Sequence, residues 1–117
     1  MASGPEVKVK RLVVAQLKAL GAYYFYPVMG GYGASGVPDI VGCYKGRFFG
    51  IECKAGKNRP TDLQKKNLEQ IIGAGGLALV VNEDNVAKVA ELLEEATWEA
   101  TGYARGTDSR VTGAADE

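Results

Sequence analysis

Lys45-Gly46 separates two apolar stretches of similar length, Asp39 to Tyr44 and Arg47 to Lys54, and this division constrains the fold more than any other feature. Both stretches are rich in β-branched and aromatic residues and read as strands joined by a tight turn. A two-residue turn fixes the register of the hairpin. Tyr44 then faces Arg47, and counting outward along both strands sets Asp39 opposite Glu52. Opposed residues share a face of the sheet with Cβ atoms about 4.5–5.5 Å apart. Lys54 lies two residues past Glu52 and projects from that same face. Two carboxylates and an ammonium group therefore converge on one patch. Lys-Gly is not the preferred type I′ pair, so the register is the point most open to test.

Around the hairpin the remaining elements follow from periodicity. Glu6 to Leu20 carries Val9, Leu12, Val13, Gln16, Leu17 and Leu20 at helical spacing, and Gly21 supplies a stop. Glu6 stands at the head of that buried stripe. Tyr23 to Tyr26 reads as a strand ended by Pro27, and a glycine-rich connector occupies Gly30 to Gly36. After a loop over Gly56 to Pro60, a helix is expected from Thr61 to Ile72, ended by Gly73, Gly75 and Gly76. Leu77 to Val81 suits a buried strand, and a last helix covers Asp84 to Ala96, burying Val86, Val89, Ala90 and Leu93. The fold class is α/β, a mixed sheet flanked by helices in the order αβββαβ with a C-terminal helix. Residues 1–97 form one domain and 98–117 a flexible tail.

Charge is balanced overall, with 14 Lys and Arg against 14 Asp and Glu. The balance is uneven along the chain. Through Asn82 the net charge is +6, and from Glu83 onward it is −6. A basic first part hints at a polyanionic partner. The chain has no histidine, which excludes His-based nucleases, His-ligated zinc hydrolases and Ser-His triads. No apolar run approaches the roughly 20 residues of a membrane span. The N-terminal segment lacks the pattern of a secretory signal. Cys43 and Cys53 lack CxxC spacing and read as small buried hydrophobes, with Cys43 facing Phe48 across the hairpin rather than its counterpart. An intracellular, cytoplasmic protein without membrane attachment or small-molecule cofactor is expected. The connector glycines are not a P-loop, since no Gly-Lys-Ser/Thr follows them.

Facing carboxylates repel unless a proton or cation lies between them. A hard divalent ion would relieve the repulsion between Asp39 and Glu52, and Lys54 beside it would be placed to orient a water. The plainer reading is a Glu52–Lys54 surface ion pair with Asp39 as a turn residue after Pro38.

Gly36-Val37-Pro38-Asp39, then Glu52-Cys53-Lys54, then Gln64 resembles the PD-(D/E)xK nuclease superfamily, and more closely its virus-type replication-repair nuclease (VRR-NUC) domain. The resemblance extends from Glu6 to Val81. It implies a restriction-endonuclease-like core and Mg²⁺- or Mn²⁺-dependent hydrolysis of DNA phosphodiesters. In that reading Asp39, Glu52 and the Cys53 backbone carbonyl hold the metal. Lys54 positions the attacking water, Gln64 holds Lys54 or a phosphate, and Glu6 completes the cluster through a second metal or a water. Small stand-alone members resemble viral homodimers that cut branched DNA such as four-way junctions. The alternatives are a related nuclease acting on flaps or duplex, or an inactive nucleic-acid-binding module.

Several residues carry two readings. Gln64 fits the N3 position of a capping box begun by Thr61, although Gln64, Leu68 and Ile71 also share one helix face. Glu6 also suits the first turn of a helix as an acid favoured by the dipole. Lys57, Arg59, Lys65 and Lys66 border the hairpin end, as phosphate contacts or as a solvated surface. Tyr23, Tyr24, Tyr26 and Tyr32 suit strand packing, a dimer surface or base stacking.

Overall fold

The structure is a computed structural model that describes residues 4–28 and 36–102. Helix α1 spans Pro5–Leu20 and is followed by strands β1 (Tyr23–Phe25), β2 (Ile40–Tyr44) and β3 (Arg47–Cys53). Helix α2 (Asp62–Gly73) leads to β4 (Leu77–Val81), a 3₁₀ turn (Val86–Lys88) and helix α3 (Val89–Gly102). The four strands lie in the order β1-β2-β3-β4, antiparallel from β1 to β3, with β4 parallel to β3. A parallel neighbour requires a crossover, and α2 is that crossover. The expected α/β order is the order observed.

The hairpin register is the one read from the turn, with Tyr44 opposite Arg47 and Ile40 opposite Ile51. Both turn residues take positive φ, Lys45 at 47° and Gly46 at 86°, so the chain accepts a type I′ turn with lysine in its first central position. The Lys45 ammonium folds back over the Tyr44 ring, 5.5 Å from its centroid.

Alternation along the strands gives the sheet two different faces. Ile40, Tyr44, Phe49, Ile51, Cys53, Leu77 and Val81 point to one side, where they meet Val9, Val13 and Leu17 of α1 and Val86, Val89 and Leu93 near α3. On the other face α2 packs against β3 and β4. A Cβ on Gly50 would stand 2.6 Å from Ile71 Cδ1 and 3.1 Å from Pro38 Cγ, so the absence of a side chain there lets helix and strand close up. Gly36, at φ +85°, approaches the first turn of α2 so tightly that a Cβ would meet the Leu63 carbonyl carbon at 2.6 Å. The segment leading to Asp39 is thereby anchored to α2.

Three expectations shift. The last helix begins later, because Asn85 Oδ1 accepts from Asn82 N and Asn82 Oδ1 accepts from Asp84 N, closing a side-chain-stabilised turn before the 3₁₀ segment. It also ends later, at Gly102, which carries helix past the boundary expected at residue 97. Of the expected tail, residues 103–117 lie outside the described residues, as does most of the glycine-rich connector. Cys43 is exposed rather than buried, as is its cross-strand partner Phe48, so the turn end of the hairpin stays open on the face where Val41 and Gly50 are buried. Both cysteines are free. No described helix is long and apolar enough to cross a membrane.

Candidate metal centre

The end of the hairpin away from the turn brings three acids together. Asp39 precedes β2, Glu52 lies on β3, and Glu6 comes from the first turn of α1. One carboxylate oxygen from each lies within 4.8 Å of the other two. A hard cation binds oxygen at about 2.0–2.6 Å, so ligands on opposite sides of one ion stand about 4–5 Å apart. The spacing fits an ion shared among the three.

Each acid is held differently. Asp39 Oδ2 accepts a hydrogen bond from Cys53 N at 2.9 Å, which ties it to the end of β3. Glu52 is 2 % exposed, and Lys54 Nζ stands 3.5 Å from its Oε2. Its other oxygen, Oε1, is buried without a hydrogen-bond partner. A buried carboxylate oxygen in that state is costly unless a proton or cation serves it. Burial raises the Glu52 carboxyl from the ordinary 4.5 to about 7; Asp39 adds to the rise, Lys54 opposes it, and Glu6 adds a little. The next residue, Cys53, is fully buried on the opposite face, and burial followed by the Asp39 charge pushes its thiol up to about 12. That thiol is a packing group and not a nucleophile at neutral pH.

The surface-pair reading of Glu52 and Lys54 therefore does not match the geometry, since the glutamate is enclosed. Lys54 itself is largely covered, and its backbone N–H donates to Val81 O at 2.8 Å, extending the β3–β4 ladder past the last strand residue. The following loop is fixed by Glu83, whose carboxylate accepts from Gly56 N at 3.0 Å. An acid from the negative half of the chain thus serves the site's own scaffold.

Gln64 is engaged as a helix cap. Its Oε1 accepts from Thr61 N at 2.9 Å while Thr61 Oγ1 accepts from Gln64 N at 3.2 Å. The capping box commits the amide oxygen locally, and a role toward Lys54 or a phosphate would fall to the amide nitrogen. Lys57, Arg59, Lys65 and Lys66 are exposed on the loop and on α2. Lys10 was not among the residues singled out from sequence, yet its charge is felt at Cys53, where it opposes the rise of the thiol. Its position four residues after Glu6, one turn along the same helix, was the available signal. No protein-family model matches the chain, and no curated protein matches it either.

Proposed function

We propose that the protein is a divalent-metal-dependent nuclease of the PD-(D/E)xK type, with Asp39, Glu52 and the Cys53 carbonyl as ligands for Mg²⁺ or Mn²⁺ and Glu6 as a further or water-mediated ligand. The observation that carries this reading is Glu52 Oε1, a buried carboxylate oxygen without a partner, held between two further acids. When bound, the ion supplies an activated water and offsets charge on the phosphate. The chain's own residues do the rest. Asp39 and Glu52 fix the ligand positions from adjacent strands. The Lys54 ammonium, 3.5 Å from Glu52 Oε2, can hold a water or a non-bridging phosphate oxygen on the open side of the cluster. Glu6 brings the end of α1 to the same point, so the cluster forms only when helix and hairpin are docked.

The substrate within this proposal is branched DNA cut by a homodimer, since paired cuts at a two-fold junction require two sites related by symmetry. Among the described residues β1 is an edge strand, and its exposed Tyr23 and Phe25 support association with a second copy. The test is cleavage of labelled four-way junction, flap and plain duplex in Mg²⁺, Mn²⁺ or EDTA. Cleavage is expected with either metal, none in EDTA, and a loss of at least a hundredfold in Lys54→Ala with binding retained. Metal-independent cutting, or full activity in Lys54→Ala, would overturn the assignment.

A further inference from the structure

Beside the metal centre, α1 presents a basic groove with an aromatic wall. Lys10, Arg11 and Lys18 fall on one side of the helix, with Val14 between them and Val7 one turn before. Tyr26, just past β1, closes the opposite side, and the groove encloses about 340 Å³. The Lys10 ammonium lies over the Tyr26 ring, 5.8 Å from its centroid. The ring remains half exposed. Among the described residues no acid lines the groove. Val7, which lines the groove, directly follows Glu6 of the acidic cluster on α1.

Three cations along about 12 Å of helix suit successive phosphates of one strand. A duplex would use the cations but not the ring, because its bases are stacked inside. An unpaired base has a free face to lay against an aromatic side chain, and that contact is tolerant of sequence. We infer that this groove binds a single-stranded segment of DNA, with Lys10, Arg11 and Lys18 on its phosphates and Tyr26 against a base, and leads that strand to the metal centre. The last clause rests on the nuclease reading; the binding itself does not. Unpaired nucleotides next to a branch are the form of DNA that supplies such a segment.

The experiment is fluorescence anisotropy of a labelled oligo-dT in EDTA, titrated with salt, on the whole protein. Exchanging Lys10, Arg11 and Lys18 together for Gln is expected to lower the slope of log affinity against log salt by about 2, at about 0.7 for each single-strand phosphate contact. Tyr26→Leu is expected to weaken binding about tenfold, while Tyr26→Phe keeps it. Lys88→Gln, on the 3₁₀ turn and outside the groove lining, should change neither. If the triple variant unfolds, Arg11→Gln alone at its exposed position should lower the slope by about 0.7. Wild-type affinity and slope in the charge variants would overturn the proposal. So would polyglutamate competing as well as oligo-dT with Tyr26→Leu unaffected, since that describes a surface for acidic proteins. Lys54-dependent cleavage together with unaltered binding by the groove variants would sink the groove and leave the nuclease. Groove-dependent binding without cleavage of any DNA would do the reverse.

Discussion

At the scale of single residues, Glu52 has the most unusual surroundings. Its carboxyl is held at about 7 by burial and by Asp39, against 4.5 for the free group. An acid with a raised native value binds its proton more tightly when folded than when unfolded. Its contribution to stability is therefore complete below about pH 4.5, shrinks as pH rises, and levels off above about 7. In EDTA, Glu52→Gln should gain on the wild type across that window by at most about 3 kcal/mol, read from urea midpoints at a series of pH values. An unchanged difference between the two proteins from pH 4.5 to 8 would contradict the enclosed-carboxylate account. Mg²⁺ should restore wild-type stability at pH 8, because it binds the folded cluster and not the unfolded chain. The Asp39–Glu52 juxtaposition was legible from the turn alone, since strand pairing is a counting rule once the register is set. The enclosure of Glu52 was not, because burial depends on α1 and on β4, which joins the sheet through α2.

Among the elements, α1 and α3 share the apolar core, and one side chain adds hydrogen bonds to their junction. Gln16 Nε2 donates to Val86 O at 2.6 Å, and its Oε1 accepts from Ala90 N at 2.8 Å. The amide therefore serves both the carbonyl that opens the 3₁₀ turn and an N–H in the first turn of α3, a helix start that has few partners of its own. Gln16→Leu keeps the apolar part of the side chain but takes the partner from Ala90 N and leaves Val86 O with the Val89 N–H alone. A loss of about 2 kcal/mol is expected, measured by urea unfolding, with α3 amides exchanging faster than those of the sheet. Loss of less than about 0.5 kcal/mol would mean that water replaces the bonds without cost. The sequence marked Gln16 as lying on the buried stripe, but its partners are 70 and 74 positions away in the chain. Gln64 is the converse case. Its capping box is a local pattern, four residues long, and is fully formed.

For the whole molecule, the balanced charge is divided by architecture as well as by sequence. Basic residues line the α1 groove and border the metal centre, while among the described residues the acids after Asn82 lie on the closing turn and α3, apart from Glu83 at the loop. Tyr44 Oη donates to Glu94 Oε2 at 2.8 Å, which fixes part of that negative surface to the sheet. A molecule of no net charge has little long-range attraction for duplex. Affinity for plain duplex in EDTA at physiological salt should be no tighter than micromolar, while oligo-dT and branched DNA bind more tightly under the same conditions. Equal affinity for all three would remove the case for recognition by shape and unpaired bases. By itself the sequence determined the strand register, the spans of the first two helices and the alignment of Asp39, Glu52 and Lys54, because turns and periodicities are local. Only the tertiary structure decided that Glu6 completes the acidic cluster, that Glu52 is sealed from water, that Cys43 is open, and that Tyr26 faces the cations of α1. Each of these depends on which surfaces dock, and docking is set by the packing of elements far apart in the chain.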